Sequence, residues 1–429
     1  TEGLDGLRER LKIYYELGAR FTKWRGVYNI GKKYPSKIAI NANAHALARY
    51  SALAQESGMV PIVEPEVLMD GEHSADDCLV KTSEVIKKCF DELIIHKIDL
   101  TGVILKPNMI LAGNKSKNKI ISIDFPSGIN GDTGLSMKKA IKANYTIAIH
   151  SKKTGHLLND GIEYSGKTKI INIGFKDYFN KDYYRENSPN LWKNSFPKKL
   201  KTSHKYTRGK LYIFGGQGVS AGASILSAMS ALKVGTGSVT IMANKNTIQL
   251  AHVMFPSCLK INCDNLKQFL EILKKIKIEN FLIGPGAGLN NQTFKITCSA
   301  LKKIKYVTLD GDSLSIFKNK YKKLHLLLNQ YKIITPHDGE FKNIFPNIQL
   351  KKDNKIHCAK LAAKIANCVV VLKGFNTIIA SPKGEVCINT NSTPELATIG
   401  SGDVLSGIIS SLVGDKKMKP FDAACAGVW

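Results

Sequence analysis

The chain has 429 residues, of which 43% are apolar, and carries 62 Lys+Arg against 35 Asp+Glu, a formal charge of +27. That length exceeds one ordinary core and predicts two or three domains, while the apolar and charged fractions exclude global disorder. No run of about 18 apolar residues occurs, which excludes a membrane-spanning helix.

The start, Thr1-Glu2-Gly3-Leu4-Asp5, has neither the basic nor the apolar region of a signal peptide, and without an initiator Met it fits a processed or shortened chain. Nine cysteines at irregular spacing, with no C-x-x-C pair, argue against a disulfide framework and against a zinc site, and favour a reducing cytoplasm. The charge divides unevenly. Up to Ser116 there are 16 basic and 15 acidic groups; the remaining 313 residues hold 46 and 20. One chain thus carries two compositions, which fits either domains that simply differ or two sequences of separate origin. A nucleic-acid binder is the alternative that the charge suggests, but the lysines are dispersed and no helix-turn-helix, zinc or RNA-binding motif accompanies them.

Residues 1–116 read as strands at 19–28, 59–68 and 102–109, with apolar-periodic helices near 38–56 and 76–96 between them. Strands and helices alternating at this interval predict a parallel sheet or barrel. Lys23 and Arg25 share one strand face, and Glu64 and Glu66 another. Lys106 lies in Val-Ile-Leu-Lys-Pro-Asn. A lysine crowded by apolar neighbours and a second cation sheds its proton more readily and can attack a carbonyl as a free amine. Solvated strand-end charges are the plainer alternative. The runs Thr1-Glu-Gly-Leu-Asp-Gly-Leu, Phe21-Thr-Lys-Trp-Arg, Val60-Pro-Ile-Val-Glu-Pro-Glu and Leu105-Lys-Pro-Asn-Met resemble class I fructose-bisphosphate aldolase over nearly all of 1–113. The resemblance implies part of a (β/α)8 barrel, with Lys106 as the Schiff-base lysine and Glu64 as acid/base in carbinolamine dehydration. It further implies Lys23 at the reacting carbons, Arg25 on substrate phosphate and Glu66 supporting the lysine pair. Only the middle strands of that barrel are covered, so the expectation is a nucleophile without a competent aldolase site.

Residues 117–198 open on a short Lys-rich stretch at 115–120 and a strand, Ile120-Ile-Ser-Ile-Asp, that runs into a Pro-Ser-Gly turn. Asp124 at a strand end suits a ligand site, or an ordinary turn. Ser122-Ile-Asp-Phe-Pro-Ser-Gly-Ile-Asn-Gly-Asp-Thr-Gly, 143–155 and Gly166–Gly174 resemble the later part of the NAD(P)H-hydrate epimerase domain. By that resemblance Asp124 binds the hydrate and the Ser127 region holds potassium. The family's phosphate loop is missing upstream, so loss of epimerase activity is expected.

Residues 199–429 show apolar strands at 210–214, 238–242, 281–284, 306–310, 332–335 and 369–373, with helices such as 223–234 between them. The expected fold is a doubly wound α/β sheet with ligands at the carboxyl ends of its strands. Gly215-Gly-Gln-Gly and Gly284-Pro-Gly-Ala-Gly288 follow strands, and neither is a P-loop. Thr398-Ile-Gly-Ser-Gly-Asp-Val-Leu-Ser-Gly opens an apolar helix with Asp403 in its first turn. Free N–H groups there stabilise a phosphoryl group, and the carboxylate can take a proton from an attacking hydroxyl. A dipole-favoured helix-start Asp is the alternative.

These motifs, with Leu309-Asp-Gly-Asp-Ser-Leu, Thr335-Pro-His-Asp-Gly-Glu-Phe and Leu372-Lys-Gly, resemble the ADP/ATP-dependent NAD(P)H-hydrate dehydratase branch of the ribokinase-like fold. The resemblance implies Asp403 as base, and Ala223, Gly286, Gly288 and His337 lining the hydrate site. It implies Lys373, Gly374, Phe375, Asn376, Thr377 and Gly402 on the nucleotide, with Mg²⁺ screening its phosphates. The partners implied are NAD(P)H hydrate and ADP or ATP, with no nucleic acid or membrane and room for a homo-oligomer. Glu395 and Ile399 replace usual glycines, and the chain stops at Trp429, before the family's last helical segment, which predicts some exposed core. Aldolase activity and ribokinase-like phosphorylation of a small alcohol are the alternative functions.

Overall fold

A computed structural model describes the chain except for residues 1–2, 114–119, 174–183, 199–201, 203, 206, 218–219 and 415–416. The Lys-rich stretch at 115–120, apart from Ile120, lies outside the described residues, as do Gly174 and Gly218. The chain forms two compact units, 1–156 with 160–175, and 157–159 with 176–429.

In the first unit β1 (Phe21–Tyr28), β2 (Val60–Val67) and β3 (Ile104–Leu105) form a parallel sheet in that order. The helices Lys37–Glu56 and Ala75–Ile95 connect them, as the periodicity predicts. Both helix starts are capped by side chains: Ser36 accepts from Ala39 N, and Ser74 and Asp77 form a reciprocal capping box. Leu11, Leu47, Tyr50, Val63 and Cys89 form the core beneath. The third strand is much shorter than the 102–109 expected. Lys106 N still donates to Val63 O at 2.9 Å, but Pro107 has no N–H to continue the ladder. The side chain of Asn108 takes over, its Oδ1 accepting from Val67 N at 3.0 Å. A separate parallel sheet of β4 (Ile121–Ile123), β5 (Tyr145–Ile149) and β6 (Lys167–Ile171) follows.

The second unit is built on ten strands: β7 (Tyr184–Glu186), β8 (Lys210–Phe214), β9 (Ser238–Ala243), β10 (Leu259–Asn262), β11 (Asn280–Ile283), β12 (Tyr306–Leu309), β13 (Lys332–Ile334), β14 (Val369–Leu372), β15 (Ile378–Ala380) and β16 (Val386–Ile388). Their order is β10-β9-β8-β11-β12-β13-β14-β15-β16-β7. All neighbours are parallel except β14 with β15 and β15 with β16. The six expected strands are present to within a residue or two. The four unexpected ones are three or four residues long, too short for periodicity to mark.

Strand alternation sorts side chains onto two faces. Tyr212, Phe214, Phe281, Ile283, Val307 and Leu309 enter one core. Leu211, Ile213, Val239, Ile241 and Leu282 enter another. Helices cover both faces, which is the doubly wound arrangement expected.

The 198/199 domain boundary is corrected by β7, which pairs in parallel with β16. Asn187 reinforces that pairing, donating to Asn389 Oδ1 at 2.9 Å and to Cys425 O at 2.8 Å. Residues 184–192 therefore fold with the second unit, through backbone pairing that no motif announced. At the other end, the helix Pro420–Val428 buries Ala423, Ala424 and Cys425, and Trp429 packs its half-exposed ring on Trp192. Among the described residues no helix is long and apolar enough to cross a membrane.

Candidate active site

Five parallel strands, β8 and β11 to β14, end on one edge of the ten-stranded sheet, where the glycine-rich turns lie. The turns after β8 and β11 are stitched by backbone: Gly216 N donates to Pro285 O at 2.9 Å and Gln217 N to Gly286 O at 2.6 Å. Gly284 has φ +125°, and a Cβ there would lie 1.7 Å from Asp310 O, so only glycine lets β11 turn beside β12. Gly288 N donates to Asp312 Oδ2 at 2.8 Å. Ala223 sits half-buried in the first turn of the helix Ala221–Val234, beside Gly286.

The charged centre forms at the ends of β12 and β14. Lys373 Nζ donates to Asp310 Oδ1 at 2.7 Å and lies 3.9 Å from Glu340 Oε2. Asp310 Oδ1 also accepts from Thr335 Oγ1 at 2.8 Å. A methyl group on Gly402 would sit 3.5 Å from Lys373 Nζ and 3.8 Å from Asp310 Oδ2, so the start of the helix Ser401–Leu412 faces this pair. Asp403 lies in that first turn. Burial and the nearby Asp310 charge push its carboxyl up to about 6, against the pull of Lys373. Burial also raises Glu340 despite Lys373. For Lys373 burial acts downward, but Asp310 and Glu340 outweigh it and leave the ammonium raised.

The crossing of two small-residue helix faces sets Asp403 in place. Ser227 Oγ donates to Asp403 O at 2.8 Å and Ser230 Oγ to Val404 O at 3.0 Å. Gly407 permits the close approach: a Cβ there would lie 2.3 Å from Ser227 O.

His337 is the N-cap of the helix Asp338–Ile344, its Nδ1 accepting from Gly339 N and Glu340 N, with the ring 61% exposed. Glu340 closes the capping box by accepting from His337 N. Of the expected nucleotide residues, Lys373 and Gly402 lie at the charged centre, Gly374 follows directly and Phe375 is exposed. Asn376 and Thr377 commit their side chains within the unit: Asn376 Nδ2 donates to Leu157 O at 2.9 Å and Thr377 Oγ1 to Gly374 O at 2.9 Å. Glu395 and Ile399 are both exposed. Sequence reasoning passed over Asp310, Thr335 and Glu340, although Asp310 ends a strand and Glu340 stands at capping-box spacing from His337.

The first unit gathers its own charges. Glu64, buried, forms an ion pair with Lys23 at 2.9 Å and accepts a hydrogen bond from Lys106. Burial raises its carboxyl, but the hydrogen bonds from Lys106 and Lys23 outweigh that and leave it lowered. Glu66 pairs with Arg25 rather than supporting the lysines. The parallel register sets Lys23 beside Ile62 and Arg25 beside Glu64, so each cation reaches one same-face position onward. Lys106 is not crowded by apolar groups as expected. Its side chain is 58% exposed, because β3 ends at Leu105.

Asp124, at φ +65°, accepts from Ile149 N at 3.0 Å and pairs with Lys153. Burial pushes its carboxyl up, and Lys153 more than reverses that. Ser127 is exposed, with its carbonyl accepting from Ile141 N at 2.9 Å.

Two family models match the chain. Residues 211–429 match NAD(P)H-hydrate dehydratase, and residues 1–131 match fructose-bisphosphate aldolase class I. A bifunctional NAD(P)H-hydrate repair enzyme of Dictyoglomus turgidum is 32% identical, covering 69% of this chain and 60% of its own length. That share exceeds what residues 211–429 supply, so the likeness reaches upstream of them. A probable class 1 fructose-bisphosphate aldolase of Xanthomonas campestris is 56% identical, over 26% of this chain and 34% of its own. The chain thus spans about a third of the aldolases it matches and 60% of that repair enzyme. A ribokinase-like superfamily protein from Enterococcus faecalis shares the fold at 22% identity and TM-score 0.50, over 59% of this chain and 87% of its own. With its family model running over more than half of its length, the chain belongs to the NAD(P)H-hydrate dehydratase family, with an aldolase-like segment ahead of that domain.

Proposed function

We propose that the second unit dehydrates NAD(P)H hydrate to NAD(P)H with ADP or ATP. The observation that carries this reading is Asp403, poised near pH 6 at a helix start that faces Lys373 and Asp310. In its ionised form Asp403 takes the proton of the ring hydroxyl as that oxygen is phosphorylated. The free N–H groups at the start of Ser401–Leu412 hold the phosphoryl oxygens. The C–O bond then breaks, phosphate leaves, the ring gives up a proton and the double bond returns. Ala223, Gly286, Gly288 and His337 would wall the hydrate.

The nucleotide would rest on Lys373, Gly374, Phe375 and Gly402; Asn376 and Thr377, committed elsewhere, would shape that loop. The carboxylate oxygens of Asp310 suit Mg²⁺, which when bound would screen the phosphates. Ser127 lies on an exposed turn rather than in an oxygen cage, and so does not fit potassium. Purified protein given the hydrate, Mg²⁺ and ADP or ATP should restore nicotinamide absorbance. Failure with both nucleotides, alongside phosphorylation of a small alcohol, would favour a ribokinase-like kinase instead.

The Lys106–Glu64–Lys23 group supports a second reading, an aldolase. We expect no competent aldolase, because the sheet has three strands and Lys106 stands exposed on Glu64. Borohydride with dihydroxyacetone phosphate should leave Lys106 unlabelled, and a trapped adduct there would revive aldolase chemistry. The epimerase-like segment, with Asp124 tied to Lys153, is likewise proposed to be inactive. We place the enzyme in the cytoplasm and read the chain as two sequences joined near residues 114–119.

A further inference from the structure

The irregular cysteines offer zinc no thiolate cage, but imidazole ligands remain open. His45 on the helix Lys37–Glu56 meets Glu92 on Ala75–Ile95 and His96 just after it. One donor atom from each lies within 4.8 Å of the others, and among the described residues this is the one such group of three. His45 Nδ1 is 3.1 Å from Glu92 Oε2, and the two imidazole rings stand 4.9 Å apart, edge to face. His96 Nδ1 lies 2.8 Å from Glu92 O and 3.9 Å from Glu92 Oε2.

We propose that His45, Glu92 and His96 form a zinc site that staples these two helices. Glu92 and His96 stand four residues apart, one above the other on a helix face, and His45 comes from across the interface. Two imidazoles and one carboxylate favour a borderline ion such as Zn²⁺ over Mg²⁺ or Ca²⁺. Ligand arms of about 2.0–2.2 Å require the three donors to close to roughly 3.4 Å apart. His45 can make that movement because its side chain is 53% exposed, while Glu92, at 12%, supplies the fixed end. The exposed side leaves room for water as a fourth ligand.

The competitor is Lys88, whose ammonium sits 2.9 Å from Glu92 Oε1. Zinc must displace it, and this gives the site an unusual signature: removing a neighbouring charge tightens binding. The helices flank a sheet of three strands, so a cross-helix tie would steady the segment most short of neighbours.

The test is zinc titration of the full chain against a chromophoric chelator, with thermal unfolding alongside. The wild type should bind one zinc lost or weakened at least tenfold in His45→Ala and His96→Ala, and zinc should raise the unfolding temperature of the wild type alone. Lys88→Gln should bind more tightly than wild type, which separates ligation from loss of fold. Hydrate dehydration should be the same in His45→Ala as in wild type. Equal zinc binding by wild type and both histidine variants, or no zinc bound by wild type and Lys88→Gln, overturns the proposal.

Discussion

Replacing Asp403 with Asn should lower kcat for hydrate dehydration by about 10²–10⁴-fold, the usual worth of a positioned general base. The amide keeps the size and the helix-start position but cannot accept the hydroxyl proton. The wild-type rate should also fall as pH drops through about 6, where Asp403 takes up its proton, and the variant should lack that limb. The stability effect runs the other way. The folded pKa is raised, so folding takes up a proton between about 4 and 6, and stability falls as pH rises across that window. The Asn variant should therefore unfold at a higher temperature than wild type above pH 6, with the difference vanishing below pH 4. A variant of unchanged kcat would remove Asp403 from the chemistry.

The second large effect is expected at Gly407 and is purely steric: a Cβ would meet Ser227 O at 2.3 Å and Ser230 Oγ at 2.2 Å. The first contact is backbone and cannot swing aside, so the helices Ala221–Val234 and Ser401–Leu412 must part. Overpacking of this kind costs about 1–3 kcal/mol. In a unit of this size that is roughly 2–4 °C in Tm per kcal/mol. Ser227 also holds Asp403 O, so Gly407→Ala should lower kcat as well as Tm. A variant that loses Tm but keeps full kcat would show that the crossing does not position the base.

Most of the parallel strands were legible because they lie in apolar runs bounded by glycine, proline or charge, whereas β7 and β10 were too short for their pattern to stand out. Asp403 was legible too, since Gly-Ser-Gly before an apolar helix has a physical meaning on its own. What sequence could not supply was the partner of each charge. Glu66 turned to Arg25 because of strand register, and Lys106 stands exposed just past the end of β3, paired with Glu64. Asp310 lay inside a quoted motif, yet its role appears only when β12 and β14 bring it to Lys373 across 63 residues.

The placement of β7 has a consequence for how the molecule is made. Tyr184–Glu186 pairs with Val386–Ile388, and the chain between them supplies the rest of the sheet. On a ribosome, β7 emerges long before its partner exists, and closing so long a loop carries an entropic cost that only the finished sheet repays. The second unit must therefore complete itself late, with an early-made strand held in waiting until residues 386–388 arrive.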